Sequence, residues 1–311
     1  MSVQLVRERW NGSAQEMTLG RHPHAVKVGG ESTLPFLHFE GSMPNRPVLA
    51  LEVTDTSPQD WPGVLSEPYR EVMGDPVHWA MACEKEGADL VALKLDSCHP
   101  EKENADPEQA ARTAAAVAEA INVPLIVLGC GDESKDAEVL PIAAKALQGH
   151  NCLLGTVTAD NYKPVVAACI EYHHNVVATS PLDINLAKQL NILISDMDLP
   201  LHRIAMDPSI GPLGYGIEYA YSIIERMRIG ALTGDIMLSP PVICMVGEEA
   251  WKTKEAQSSD VPEWGDWKRR AVLWEAVTAS VLLQAGGHIM VLRHPESLAL
   301  VKAQIDDLMR K

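Results

Sequence analysis

Short apolar runs recur along the chain, and each is followed by a stretch with helical spacing of apolar residues. Continuous apolar runs separated by helices are typical of a parallel sheet that helices cover on both faces. The eight runs are 48–53, 90–95, 125–128, 152–154, 176–178, 204–206, 242–246 and 289–292. Eight strand–helix units within about 250 residues predict a closed (βα)8 TIM barrel. An open doubly wound sheet is the alternative, but the glycine fingerprint typical after its first strand is missing.

Several predicted helices have readable ends. Asp106 followed by Pro107 is an N-cap with proline at the first helical position, and Gln109 completes a capping box. Asp183 begins a helix whose apolar residues recur every three or four positions, and Pro200 ends it.

About 46 residues precede the first predicted barrel strand. Two alternating pieces, 3–6 and 25–28, predict a β-hairpin that covers the bottom of the barrel. No low-complexity linker interrupts the chain. We therefore predict an N-terminal extension over residues 1–46 and one barrel over residues 47–311.

Charge and composition narrow the classes of partner. The chain has 26 Lys and Arg against 42 Asp and Glu, a formal charge of −16. Such a surface repels phosphate backbones and anionic lipids, so we expect neither a nucleic acid nor a membrane as partner. No stretch of about 20 residues is free of polar breaks, and the N-terminus lacks the pattern of a signal peptide. A cytoplasmic location is expected.

The six cysteines are scattered, and no two are closer than fifteen residues. Iron–sulfur clusters and structural zinc sites usually take ligands from tight cysteine pairs, and the eleven histidines show no ligand spacing either. We expect buried thiols and no metal site. Cys130 is a weak candidate nucleophile because no histidine lies near it in sequence.

In this fold, catalytic and binding residues lie at the carboxyl ends of the strands. Alternation places Glu52 and Lys94 inside the barrel on adjacent strands, which predicts that they form an ion pair. A catalytic lysine is the alternative. It is less favoured, because a neighbouring carboxylate raises the lysine pKa rather than lowering it.

Glycines and tryptophans mark the predicted rim. Gly129 and Gly131 follow the third barrel strand, and Gly211 and Gly214 lie in the loop after the sixth. Trp251 lies in a long predicted loop, 247–266, after the seventh strand. Glycines allow a large ligand to approach the backbone, although tight turns would also explain them. No catalytic constellation is evident, so the mouth is interpreted as a binding surface.

Longer stretches carry a family resemblance. The principal ones are 34–41, 180–194, 207–219 (DPSIGPLGYGIEY), 241–247 (PVICMVG) and 249–256. Together they resemble the small subunit of the corrinoid/iron–sulfur protein, the delta subunit of the acetyl-CoA decarbonylase/synthase complex. The likeness extends from near the N-terminus to the last helix.

The resemblance implies a (βα)8 barrel that forms a heterodimer with a large subunit. The [4Fe-4S] cluster would be bound by the large subunit only. A corrinoid (cobamide) would lie between the large subunit and the barrel mouth. A methyl group would pass from methyltetrahydrofolate, through its corrinoid methyltransferase and cobalt, to acetyl-CoA synthase in the Wood–Ljungdahl pathway. The resemblance assigns this subunit no catalytic residue, and the rim residues become candidates to face the corrinoid.

A second hypothesis comes from another class of protein. A stand-alone pterin-dependent methyltransferase can also be a (βα)8 barrel. It would need inward Asp and Asn side chains to bind the pterin ring, and the candidates are Asp96, Asp207, Asn161 and Asn185.

Overall fold

The computed structural model describes residues 6–310, and over these residues eight parallel strands form a barrel. A hairpin of β1 (Glu16–Leu19) and β2 (Val26–Gly29) precedes it. The barrel strands are β3 (Val48–Thr54), β4 (Leu90–Lys94), β5 (Leu125–Leu128), β6 (Leu153–Val157), β7 (Asn175–Thr179), β8 (Ile204–Asp207), β9 (Ile243–Cys244) and β10 (Ile289–Leu292). They follow one another in chain order around the sheet, with β10 between β9 and β3. A parallel bridge between Met206 and Val242 joins β8 to the segment of β9 and closes the ring. The predicted fold class is confirmed.

Helices follow the barrel strands and cover the outside of the sheet. They are α1 (Gly63–Ser66), α2 (Pro76–Lys85), α3 (Pro107–Ala120), α4 (Glu133–Ala146), α5 (Tyr162–Tyr172), α6 (Ile184–Ser195), α7 (Ile217–Leu232), α8 (Val246–Ala250), α9 (Lys254–Gln257), α10 (Trp267–Ala285) and α11 (Pro295–Leu308). Within residues 6–310, no helix has the length and apolar character needed to cross a membrane.

The predicted helix starts are correct, with one difference in the chemistry of the caps. Asp183 accepts hydrogen bonds from the backbone N–H groups of Asn185 and Leu186 at 2.8 and 3.2 Å. Asp106 is the residue before α3, but its side chain makes no capping hydrogen bond. Pro107, at the first position of α3, has no backbone N–H that would need an acceptor. The start of this helix therefore does not depend on the carboxylate of Asp106.

Strand alternation divides the core into two layers. Ala50, Ala92, Ile126 and Leu153 belong to a cluster that fills the barrel interior. Their chain neighbours, such as Leu51, pack between the sheet and the helices. The two faces therefore follow the period of two that the sequence predicts.

The N-terminal hairpin exists, but its first strand is β1 and not the predicted piece 3–6. Residues 1–5 lie outside the described part of the chain, and Val6 is exposed. The alternating side chains Met17, Leu19 and Val28 pack into the interior cluster of the barrel. Gly20 donates its backbone N–H to the carbonyl of Asn151, just before β6, at 3.0 Å. The hairpin therefore lies under the amino ends of the strands.

A buried ionic cluster anchors the extension to the barrel. Glu31 accepts a hydrogen bond from His288 at 3.1 Å, and the Arg228 guanidinium lies 3.7 Å from the same carboxylate oxygen. Burial would raise the pKa of Glu31, but the charges of His288 and Arg228 and the His288 hydrogen bond outweigh it and lower that pKa to about 2. Arg228 also donates to the carbonyl of Thr33 at 3.2 Å.

The segment after β9 differs from the sequence prediction. Strand β9 is only two residues long because Val246 already begins α8. The predicted long loop 247–266 therefore contains most of α8, all of α9 and a 3-10 turn at Pro262–Trp264.

Candidate functional site

A cavity of about 390 Å³ opens at the carboxyl ends of the strands, where barrel function is expected. Strands β4 to β8, or the loops after them, supply most of its wall, and Met245 and α8 supply the rest. The cavity is lined by Lys94, Leu128, Gly129, Gly131, Thr156, Thr179, Asp207, Ser209, Ile210, Met245, Glu248 and Glu249. We call this the mouth cavity.

The sequence predicts an ion pair between Glu52 and Lys94. This prediction is wrong, because each of the two side chains pairs with another residue. Glu52 accepts two hydrogen bonds from the Arg293 guanidinium, from Nε at 3.0 Å and from Nη2 at 2.7 Å. Lys94 instead donates to Glu248 at 3.3 Å. Both side chains point inward as predicted, but the pairing register places Lys94 beside Thr54, one layer nearer the mouth than Glu52.

Arg293 is the residue that sequence reasoning missed. It follows the last apolar run directly, and a charged residue at the end of a barrel strand was an available signal. Glu275 on α10 fixes the turn, because it accepts from the backbone N–H groups of Arg293 and His294 at 2.6 and 3.2 Å. The Arg293 guanidinium also lies 5.1 Å from the ring of Trp61.

Lysines neutralise the acidic side of the mouth. Lys252 donates to Glu248 at 3.2 Å and to Glu249 at 2.8 Å. Burial raises the pKa of Glu248, but Lys94, Lys252 and Arg293 outweigh it and lower that pKa to about 2. Burial lowers the pKa of Lys94, but Glu248 and Glu52 outweigh it and raise that pKa. The ion pair with Glu248 and the raised pKa therefore favour the charged ammonium of Lys94 over a free amine.

Asp207 is the most deeply buried carboxyl group of the mouth cavity. It accepts from the Thr179 hydroxyl at 3.1 Å and from the Ser209 backbone N–H at 2.9 Å. Burial raises its pKa to about 6 despite these two hydrogen bonds, and the charges of Glu248 and Glu249 add to the rise. The group therefore changes protonation state close to neutral pH.

The two positions after β5 are occupied by glycine for different physical reasons. Asp136 accepts from the backbone N–H groups of Cys130 and Gly131 at 2.7 and 3.1 Å. A side chain at Gly129 would overlap that carboxylate, so the turn itself requires this glycine. Gly131 has φ +96°, and no atom lies within 4 Å of where its Cβ would be. Gly131 is therefore the point where the rim leaves space.

The other predicted rim residues do not line the mouth cavity. A Cβ at Gly211 would lie 2.5 Å from the Tyr215 carbonyl oxygen, so a tight turn explains this glycine. Gly214 has φ +78° and lies next to Trp274. Trp251 is only 1% exposed and stacks on His294 with 5.9 Å between ring centroids. Because α8 replaces the predicted loop, the Trp251 ring packs into a cluster beside the barrel.

The structure does not bring the four pterin candidates into one cavity. Asp207 lines the mouth cavity, whereas Asp96 lines a separate cleft of about 830 Å³ and pairs with Lys102. Asn161 accepts from the backbone N–H of Thr158 at 2.8 Å, and Asn185 lies in the first turn of α6. Neither asparagine lines the mouth cavity.

Metal-ligating side chains do not cluster in the part of the chain that the structure describes. No group of three or more His, Cys, Asp or Glu there could hold a metal ion. All six cysteines are free and buried. Burial raises the pKa of Cys130 to about 12, so this thiol is not activated as a nucleophile.

Comparison with known proteins shows the family to which this chain belongs. The family model described as CO dehydrogenase/acetyl-CoA synthase delta subunit matches residues 16–304. The acetyl-CoA decarbonylase/synthase complex subunit delta 1 of Methanosarcina thermophila is 35% identical over 308 residues, covering 94% of this chain and 70% of that protein. The subunit delta of Archaeoglobus fulgidus is 33% identical over 317 residues, covering 97% of this chain and 70% of the relative.

Solved structures with a similar fold include dihydropteroate synthases. The enzyme from Vibrio fischeri has a TM-score of 0.60 and 12% identity, covering 95% of this chain and 99% of its own. The enzyme from Xanthomonas albilineans, with 4-aminobenzoic acid, has a TM-score of 0.59 and 13% identity, covering 95% and 100%. At this identity the likeness supports the barrel fold alone.

Proposed function

The chain belongs to the CO dehydrogenase/acetyl-CoA synthase delta subunit family, and on that premise we propose that its barrel mouth covers a corrinoid held by a partner subunit. In this proposal the chain binds and shields the cofactor without itself reacting. The observation that carries the proposal is the mouth cavity, which is open at Gly131 and bordered by ion-paired side chains.

Part of the lining of the mouth cavity supports this proposal. Leu128, Ile210 and Met245 offer apolar contact to a flat macrocycle. The hydroxyl groups of Thr156 and Ser209 are suited to the amide groups at a corrinoid's edge. These residues would hold the cofactor from the barrel side.

A cover for a methyl-carrying cobalt must not ligate the metal. No histidine or cysteine lines the mouth cavity. The ammonium of Lys94 pairs with Glu248, and the two glutamates at the rim pair with Lys252. Histidine and cysteine are thus absent from the lining, and its lysine and two glutamates are engaged in ion pairs. The remaining carboxyl group, Asp207, is buried and accepts hydrogen bonds from Thr179 and Ser209.

When bound, the corrinoid supplies the cobalt that accepts and donates the methyl group, and the protein contributes position and exclusion of water. The proposed partners are a large subunit carrying the [4Fe-4S] cluster, a methyltetrahydrofolate:corrinoid methyltransferase and acetyl-CoA synthase. The alternative, a stand-alone pterin-dependent methyltransferase, is disfavoured because its four candidate residues do not meet in one cavity.

Two glycines make a matched test of the proposal. Gly131 and Gly149 have φ +96° and +90°, and neither has an atom within 4 Å of its Cβ position. Gly149 lies between α4 and β6, at the opposite end of the barrel. Leucine at either position costs a similar backbone strain of about 1–2 kcal/mol, but only Gly131→Leu adds bulk to the mouth.

The variants should be co-expressed with the partner subunit, and cobalt per complex should be measured. We expect Gly131→Leu to lower corrinoid occupancy several-fold while Gly149→Leu leaves it unchanged. Equal occupancy in both variants would contradict the proposal. Methyl transfer from methyltetrahydrofolate to free cobalamin by the isolated chain would favour the methyltransferase alternative instead.

A further inference from the structure

One carboxyl group of the mouth cavity has no charged partner. Asp207, at the end of β8, is 4% exposed and lines the cavity. Among the described residues, its carboxyl group accepts from the Thr179 hydroxyl and the Ser209 backbone N–H alone. The two glutamates of the cavity, by contrast, are held in ion pairs with lysines. Asp207 is therefore the carboxyl group of this cavity whose charge depends most on water.

The other charged groups near Asp207 do not favour its ionised form. Burial is the main cause that raises the pKa of Asp207 to about 6, and the charges of Glu248 and Glu249 on α8 add to the rise. On β9, Cys244 is a neutral thiol, because burial raises its pKa well above the ordinary value. On β4, the ammonium of Lys94 lies 3.3 Å from Glu248 and so is engaged elsewhere.

The carboxylate of Asp207 is solvated by the water of the mouth cavity. While the cavity is open, the group is mostly ionised above pH 6. A flat macrocycle seated on the mouth displaces that water, and desolvation disfavours the charged form of a carboxyl group. Covering the cavity therefore shifts Asp207 towards the neutral acid.

We propose that covering of the mouth cavity by a corrinoid-carrying large subunit is coupled to the uptake of one proton by Asp207. The proton comes from the solvent and adds to one carboxylate oxygen, and no other covalent bond changes. This inference rests on the proposed function, because the ligand that displaces the water is the corrinoid of that proposal.

The hydrogen bonds of Asp207 are compatible with both protonation states. A threonine hydroxyl can donate or accept. The Thr179 hydroxyl, at 3.1 Å, donates to the carboxylate and can accept from the neutral acid after it rotates. The Ser209 backbone N–H, at 2.9 Å, donates to the other carboxyl oxygen in either state. Proton uptake therefore breaks neither hydrogen bond.

The neutral acid also suits a cover that must not bind cobalt. A carboxyl group must be deprotonated to ligate a metal ion. Glu248 and Glu249 remain in ion pairs with lysines. A protonated Asp207 therefore leaves the mouth cavity without a free carboxylate.

Proton uptake makes the association of the two subunits depend on pH. Below about pH 6 Asp207 is already protonated before the cavity is covered, so the affinity should not change with pH there. Above pH 6 the proton must be taken up on binding, so the affinity should fall as the pH rises, by up to about tenfold per pH unit.

The test is isothermal titration calorimetry of the isolated chain with the corrinoid-loaded large subunit. Measurements at pH 7.5 in two buffers with different ionisation enthalpies give the number of protons taken up on binding. The variant is Asp207→Asn. The matched control is Asp160→Asn, which removes the same charge from an exposed position in the loop after β6.

We expect about 0.5–1 proton for the wild type and for Asp160→Asn, and at least about 0.5 proton less for Asp207→Asn. Between pH 6.5 and pH 8.5, the affinity of the wild type should fall at least about fivefold relative to that of Asp207→Asn. Equal proton uptake in the wild type and Asp207→Asn would overturn the proposal.

Infrared difference spectroscopy of the wild type provides a readout that does not require Asp207→Asn to fold. At pH 7.5 the complex should show the carbonyl band of a protonated carboxylic acid that the separate subunits lack, and the absence of this band would also overturn the proposal. Gly131→Leu and Gly149→Leu test the proposed function separately. Lower cobalt occupancy in Gly131→Leu without proton uptake by Asp207 would contradict this inference alone, whereas equal occupancy in both glycine variants would contradict the proposed function.

Discussion

The buried pair of Glu52 and Arg293 should be the most sensitive ionic contact of the barrel. Glu52 is 0% exposed and Arg293 7%, and both hydrogen bonds from the guanidinium go to one carboxylate oxygen. Arg293→Met removes both donors and leaves a charged carboxylate inside the barrel. The expected loss is about 3–5 kcal/mol in the free energy of unfolding, because the remaining charge is desolvated without a partner.

Lys94→Met should cost much less, about 1 kcal/mol. The side chains of Lys94 and Glu248 are 18% and 27% exposed, and Glu248 keeps Lys252 as a partner. With an unfolding entropy of about 2.1 cal/mol/K per residue, these losses lower the melting temperature by about 5–8 °C and about 1.5 °C. The difference in melting temperature between the two variants therefore tests directly whether Glu52 pairs with Arg293 or with Lys94.

Thermal unfolding followed by circular dichroism at pH 7.5 is a suitable assay. The double variant Glu52→Gln with Arg293→Met should recover most of the loss, since a neutral amide replaces the unpaired charge. If Lys94→Met destabilises the protein as much as Arg293→Met, Glu52 depends on Lys94 and the assignment is refuted.

Three further predictions concern titration and reactivity. Because the pKa of Glu31 is lowered to about 2 from 4.5, its stabilising contribution should be present above pH 4.5 and lost as the pH falls towards 2. In the Glu31→Gln variant, the melting temperature should therefore depend less on pH over that range. Because the pKa of Asp207 is raised to about 6 from 3.8, stability should fall as the pH rises through 6, and melting curves of Asp207→Asn should lack this fall. All six thiols are buried, so they should react with a thiol reagent at least tenfold more slowly in the native than in the denatured protein; rapid native labelling would contradict their burial.

The candidate site was only partly predictable. The two glycines after β5 line the mouth cavity as the sequence analysis expects, because they follow a strand whose end could be located. Trp251 does not, because its segment folds into α8 and turns the ring away from the mouth. The prediction of a loop failed there because a helix of five residues has too few apolar positions to show a helical period.

The sequence by itself determined the order of the strands, the inward and outward faces and the barrel, because apolar runs and their period are local properties. Only the tertiary structure decided which charges meet. Glu52 and Arg293 are 241 residues apart, and they pair because barrel closure places β10 beside β3. Lys94 is displaced from Glu52 by the stagger of neighbouring strands, which depends on the tilt of the whole barrel and not on any one segment.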